Sequence, residues 1–405
     1  MGAPGQASNL SYIGVALDKY KSLLTTSVSA AATSIVVSDT TSWPASGFIT
    51  IYDPSSAGTL TETVAYSAIA GTTITCSALA NAHTAGVLVV VTAAADAPSM
   101  FIPVKPPEPF DNLTLLKDTG YRGSEVVNYG TVPGVIHGEY GASGDVFPES
   151  FGFWLGALLG DYTSSGGSAP YTHTFAIKNS AGNYGGGQPE TLTVTDYQSG
   201  LAGSNTARAY PGHVVSELTI TFNSEGLLTY TVKLTGWPSG IVTKPTASWT
   251  STTTPIPVWT GVVTLGGSAV QYTESGEISI KRDVKVQHTT DGAQGPYNVW
   301  LGPVEVTGKL TFIAADETEV RRYLNVTIPS VDINFTEGTG SALVQVKLHM
   351  SKCVYKNTKL GRGGTYLTVE TDLEADANTS DAGASGGYSP IKVTLQSATP
   401  TGTYQ

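Results

Sequence analysis

Six histidines stand at positions 83, 137, 173, 213, 288 and 349, and two cysteines at 76 and 353. Imidazole and thiolate are the usual zinc ligands, but zinc sites draw on short, regular spacings such as CxxC. No histidine pair here stands at HxxxH or HxH spacing and the cysteines form no CxxC, so no metal site is predicted. One G-x-S-x-G occurs, at Gly383, Ser385 and Gly387. A nucleophile elbow needs a strand before that pattern and a helix after it, whereas these flanks are rich in Gly and Ser. Glu370, Asp372, Glu374 and Asp376 alternate as calcium ligands can. The glycine and distal glutamate of an EF-hand loop are missing, so they read as a solvated acidic strand edge. Glu277 with Asp283, and Asp316 with Glu319, are the remaining acid/base pairs and read as solvated faces. Trp237, Trp249, Trp259 and Trp300 could form a sugar platform, but such rings more often anchor a core or an interface. With no P-loop and no G-x-G-x-x-G, no catalytic residue and no cofactor is assigned.

The elements that would hold any site are strands. The chain has 405 residues, only 13% of them charged, with 46 Gly, 22 Pro and twice as many Tyr as Phe. Thr, Tyr and β-branched residues fit a pleated surface, and the shortage of Glu, Lys and Leu heptads excludes a coiled coil. The net charge is −11, opposite in sign to a protein that wraps nucleic acid by its phosphates. Two cysteines frame no disulfide scaffold and are taken as free thiols. The start, MGAPGQASNLSYIG, has neither a basic nor an apolar signal region, and the apolar run at 86–95 is too short for a bilayer. A chain made and used from the cytosol is expected.

Residues 1–21 hold a first strand. Residues 22–97, free of Lys and Arg, carry short strands at 34–38, 48–52, 62–67, 72–76 and 87–92 between turn signals, and predict a small inserted all-β domain. A Pro-rich run at 98–109 predicts a stiff linker into a main body that ends at 375. There, 217–222 with 228–234, 331–335 with 343–348, and 277–287 with 303–312 predict hairpins. The first two share Ile-x-Phe, a Gly turn and Val-Lys-Leu, which is either an internal repeat or coincidence. One helix is predicted at 148–160, with Pro148 in its first turn and Gly160 at its C-cap, and with Phe151, Trp154, Leu155, Leu158 and Leu159 on one packing face. A second short helix is expected at 316–324, with Asp316 and Glu319 as a capping box. Residues 376–405 predict a flexible acidic, Gly/Ser-rich arm with one short strand at 391–395, either mobile or held by a neighbouring subunit.

Several stretches together resemble the tail tube (major tail) proteins of long-tailed bacteriophages. They are the strand at 12–20, FIPV at 101–104 followed by 116–124, the G-x-I-x-G strand at 134–138, the helix at 151–161, PYTHTF at 170–175, the hairpin at 217–234, and the strands at 259–265, 278–282 and 304–312. The resemblance covers most of 8–20 and 99–355. It implies a mainly β tail-tube sandwich/barrel with one flanking helix, whose subunits form hexameric rings that stack into a tube through which DNA leaves the virion. It also implies assembly in the host cytoplasm and partners that are further copies of the chain, a tail terminator, a tape-measure protein and distal tail proteins. Double-stranded DNA would pass without specific binding, and no membrane is involved. The segment 22–97 departs from the family pattern and reads as a surface decoration, which favours a non-contractile tail. Candidate lumen strands are 132–140, 277–287 and 304–312, and candidate lumen-facing residues are Val132, Gly134, Ile136, Gly138, Tyr140, Glu305, Thr307 and Lys309. Against the strand at 277–287 stand Lys281, Arg282 and Lys285, unless they pair with Glu277 and Asp283. The alternative reading is a receptor-binding or capsid-decorating β-sandwich.

Overall fold

A computed structural model describes residues 11–18, 20–41, 43–53, 60–92, 98–120, 122–179, 188–198, 206–249, 254–290, 292–362 and 364–404. The chain is mainly β. It opens with β1 (Tyr12–Asp18), followed by β2 (Lys21–Leu23), β3 (Ser34–Val36), β4 (Gly47–Asp53), β5 (Leu60–Ala70), β6 (Thr73–Cys76) and β7 (Leu88–Thr92). Then come β8 (Met100–Ile102), β9 (Glu108–Asp118), β10 (Gly130–Asp145), helix α1 (Pro148–Leu159), β11 (Gly160–Ser165), β12 (Tyr171–Ile177), β13 (Thr191–Tyr197), β14 (Thr206–Asn223), β15 (Thr229–Gly236) and β16 (Gly240–Thr243). The remainder is β17 (Gly261–Leu265), β18 (Ser268–Val270), β19 (Thr273–Gln287), β20 (Asn298–Ile313), α2 (Thr318–Leu324), β21 (Val331–Glu337), β22 (Val344–Met350), β23 (Cys353–Gly361), β24 (Thr368–Ala375) and β25 (Lys392–Ser397).

Strands β2 to β7 form a six-stranded sheet, ordered β2-β7-β4-β5-β6-β3. One face buries Leu24, Ile35, Ile49, Ile51, Ile74 and Val89 in a cluster of its own. Strands β1 and β8, which flank this sheet in the chain, pair antiparallel with each other, Ile13 opposite Ile102. The chain therefore leaves and returns at neighbouring points, the geometry that tolerates an insertion. The sheet is not held at arm's length. Tyr52, Leu88 and Val90 share a second cluster with Tyr197, Ala207, Trp237 and Val242 of the main body. The expected linker at 98–109 is irregular between two strands, because β8 lies in its first half and β9 starts at Glu108.

The main body is a sandwich. A twelve-stranded sheet faces a seven-stranded one ordered β11-β12-β25-β22-β21-β17-β18. The long strand β14 is shared by two halves of the large sheet. Its first half pairs with β13 and β16, its second with β15 and β19. The change of partner occurs at Gly212, whose φ of +62° suits glycine and whose missing Cβ leaves room for the Trp237 ring. The two look-alike hairpins, β14–β15 and β21–β22, lie in opposite sheets, and the rings of Phe222 and Phe335 meet edge-on with centroids 5.4 Å apart. Each supplies an inward Ile-x-Phe to one shared core.

Helix α1 starts at Pro148 and ends at Gly160, which is left-handed at φ +83° and gives its N–H to Gly156 O. All twelve residues are buried. The expectation of a single packing face is therefore corrected: Phe151, Trp154, Leu155, Leu158 and Leu159 are enclosed, and so is Phe153 on the other side. What fills the far side is the chain's own end. β25 lies between β12 and β22, and Tyr404 packs against Phe153 and donates through Oη to Glu149 O. The expected flexible arm at 376–405 is thus, over its described residues, a core strand and a plug. The short strand expected at 391–395 corresponds to β25, and the expected flexibility fails because Ile391, Val393 and Leu395, spaced two apart, are all buried.

Helix α2 begins after Asp316, whose Oδ1 accepts from Thr318 N–H. Glu319 does not close the expected capping box. It is buried and holds Arg322 at 2.9 Å and Tyr355 Oη at 2.7 Å.

Candidate channel face

Eight strands of the large sheet run side by side as β9-β10-β15-β14-β19-β20-β24-β23, every neighbour antiparallel. Alternation sends Leu218, Ile220, Val232, Ile278, Ile280, Val306, Leu310 and Leu373 into the sandwich. The residues between them stand on the opposite, open face. Cross-strand register sets them in rows: Thr231, Thr219, Ser279 and Thr307 form one, and Lys233, Glu217, Lys281 and Glu305 another. A third holds Thr229, Thr221, Glu277, Lys309 and Asp372.

Lys233, Lys281, Lys309 and Lys356 on this face are tied to carboxylates. Glu217 takes Lys233 at 2.9 Å and Lys281 at 3.0 Å. Burial pushes the Glu217 carboxyl up, but hydrogen bonds and charges from the two lysines outweigh it and hold it below its ordinary value. Lys309 lies 2.8 Å from Glu370, and Lys356 pairs with Glu374. Lys285 and Lys359 are in no ion pair among the described residues. Arg282 does not reach this face. It is buried, donates to Leu158 O at 3.0 Å and to Gly302 O at 2.9 Å, and desolvation lowers its pKa to about 10. It thereby supplies a cation to the C-terminus of α1, which has no basic residue in its own last turn.

Glu305, Thr307 and Lys309, named from sequence, all lie on the open face. The β10 candidates divide. Strand β10 has a bulge between Pro133 and Ile136, which breaks strict alternation along 132–140. Tyr140 is 1% exposed, packs on Tyr210 and donates to Asp196 at 3.3 Å. Gly138 is buried, with Trp237 O and His213 where a Cβ would go. Both leave the candidate set, and Ile136, two residues before Gly138 on the same strand run, turns the same way. Val132 stands before the bulge and Gly134 within it, in a two-stranded ribbon formed with β9. Sequence reasoning missed Glu217, Thr219 and Lys233, although the alternation along β14 and β15 signalled a polar face; Ser279 lies on β19, within the candidate strand 277–287.

That ribbon is the other unusual surface. Phe110, Leu113, Leu115, Leu116, Val127 and Val132 are exposed, Val127 at 78%. Leu116 pairs with Val132 and Leu115 with Pro133, so both faces of the ribbon are apolar. At its base a cavity of about 550 Å³ is lined by Phe110, Asp111, Asp196, Arg208, Tyr210 and Ile241. Its charged groups serve the fold: Asp111 accepts from Ser239 N–H at 2.8 Å and from Arg208 at 3.3 Å.

The histidines and the Ser motif are structural ties. His83 joins Glu62 at 3.0 Å within the six-stranded sheet's cluster. Burial lowers its pKa, and Asp53 and Glu62 more than reverse this. His173 bridges Tyr162 Oη and Thr399 O, both at 2.9 Å. Ser385 Oγ donates to Asp161 at 2.6 Å. Cys76 and Cys353 are buried free thiols. Among the described residues no group of three His, Cys, Asp or Glu is placed to hold a metal ion.

Residues 84–377 match a family model described as phage tail tube protein. No curated protein matches the chain.

Proposed function

This chain belongs to the phage tail tube protein family, a structural component of the virion, and from that premise we propose that it forms hexameric rings that stack into the tail tube and conduct DNA during ejection. One observation carries the reading. The large sheet offers a polar open face on which most lysines are already bound to carboxylates, and both end strands of its eight-strand run lack a second partner within the described chain. Free sheet edges invite pairing, and closure into a barrel removes them. A duplex sliding past free lysines would gain phosphate contacts that retard it. Lysines held at 2.8–3.0 Å by carboxylates are poor phosphate ligands, and the chain's charge of −11 repels the duplex within a Debye length of about 8–10 Å.

In this reading Glu305, Thr307 and Lys309, with Glu217 beside them, line the bore. The six-stranded sheet decorates the outside of the tube, where a contractile sheath would collide with it, so the tail is long and non-contractile. The ring stack is capped and measured by terminator, tape-measure and distal tail proteins. The chain catalyses nothing and binds no cofactor. Negative-stain microscopy of the purified protein tests this. Six-fold rings and hollow tubes are expected; rings of another symmetry would overturn the count of six, and persistent monomers would overturn the function.

A further inference from the structure

The two ends of the eight-strand run differ in charge. At one end β23 and its flanking residues carry Lys352, Lys356, Lys359 and Arg362 and no acid. At the other end β9 carries Glu108, Asp111 and Asp118 against a single Lys117. Apolar side chains stand exposed at both ends: Leu113, Leu115 and Leu116 on β9, and Leu360 on β23 with Leu324 of the adjoining α2. Strand β9 pairs only with β10, and β23 only with β24, among the described residues. Only the start of β23 is closed off, where Cys353 N–H donates to Pro329 O.

We infer that the β23 edge of one copy adds to the β9 edge of the next, so that these two edges are the head-to-tail joint of the ring. The inference rests on the ring-forming reading above and names the surface through which it works. Strand polarity agrees with it. The eight strands alternate in direction along the run, so β9 and β23 point opposite ways. Rotation about a ring axis preserves direction, so the next copy's β9 meets β23 antiparallel, and the ladder continues without a change of type. A contact between two different edges is heterologous and closes into a ring when the rotation allows. The basic β23 edge, with Glu108 as the acid on β9 that no arginine holds, favours this pairing over β23 with β23, where like charges would face each other.

Two variants test it. The first, Lys359→Glu with Arg362→Glu, reverses the β23 edge. The second, Glu108→Lys with Thr114→Lys, reverses β9 and leaves Asp111 and Asp118, which hold Ser239 and Arg122. Each variant alone should raise the concentration needed for half-assembly about tenfold or more. An equimolar mixture should recover rings, because each reversed edge then meets a reversed partner, and native mass spectrometry should show the two alternating. Recovery in the mixture also shows that both variants fold. Wild-type assembly by either variant alone would overturn the joint and leave the lysines as residues that merely discourage pairing at a free edge. Failure of the mixture, with both variants folded by circular dichroism, would overturn it as well. A wild-type chain that never forms rings removes the ring-forming reading itself, a failure visible before either variant is made.

Discussion

Helix α1 and the β9–β10 ribbon treat apolar side chains in opposite ways. Trp154, Phe151 and Phe153 are at most 1% exposed, between two sheets and under Tyr404. Leu115, Leu116 and Val127 stand more than half exposed. A two-stranded ribbon is at best marginally stable alone in water, and exposed apolar patches of this kind mark contact surfaces. The helix completes its packing within the chain. The ribbon does not, and its difference from the helix separates what folds the subunit from what assembles it.

That separation can be broken most strongly by a paired experiment. Trp154→Ala should cost the monomer about 3–5 kcal/mol, as large-to-small changes of buried aromatics do. Leu115→Asp with Leu116→Asp should leave monomer stability within about 0.5 kcal/mol, the range of surface changes, while abolishing assembly. Denaturant melts and sedimentation of both variants would measure this. A strongly destabilised ribbon variant would mean that the ribbon belongs to the subunit's own core.

Acid offers a sharper, smaller probe at the place where the two regions meet. His213 is buried beneath Gly138 at the ribbon's base, and burial lowers its pKa to about 4 despite the Pro211 carbonyl beside Nδ1. The unfolded chain takes up this proton first, near pH 6.5, so folding stability falls as pH drops below that value. The loss levels off near pH 4, at about 3 kcal/mol for this one group. Unfolding free energies at pH 7 and pH 4.5 should differ accordingly, with a smaller difference in His213→Leu. Equal differences in the two proteins would show that His213 is not the group responsible.

The strands of this fold were legible because their alternation is local. The hairpins at 217–234 and 331–348 could be placed from period two alone, and α1 from Pro148 and Gly160. What was not legible depends on distant partners. The sequence of β25 shows alternation, but nothing in it says that it inserts between β12 and β22. The β10 candidates failed at Tyr140 because a bulge near Pro133 resets which side chains face inward, and that bulge is defined by register against β9. The run Phe110 to Leu116 carried a usable signal: several apolar residues that neither alternate nor follow a helical period.

In the proposed assembly the large sheet's open face becomes the inner wall of a hollow tube. A cryo-electron microscopy map of the assembled protein measures this directly. Glu217, Glu305, Thr307 and Lys309 are expected on the bore surface, with their lysine–carboxylate pairs intact. A map that puts this face on the outside, or lines the bore with unpaired lysines and arginines, would contradict it.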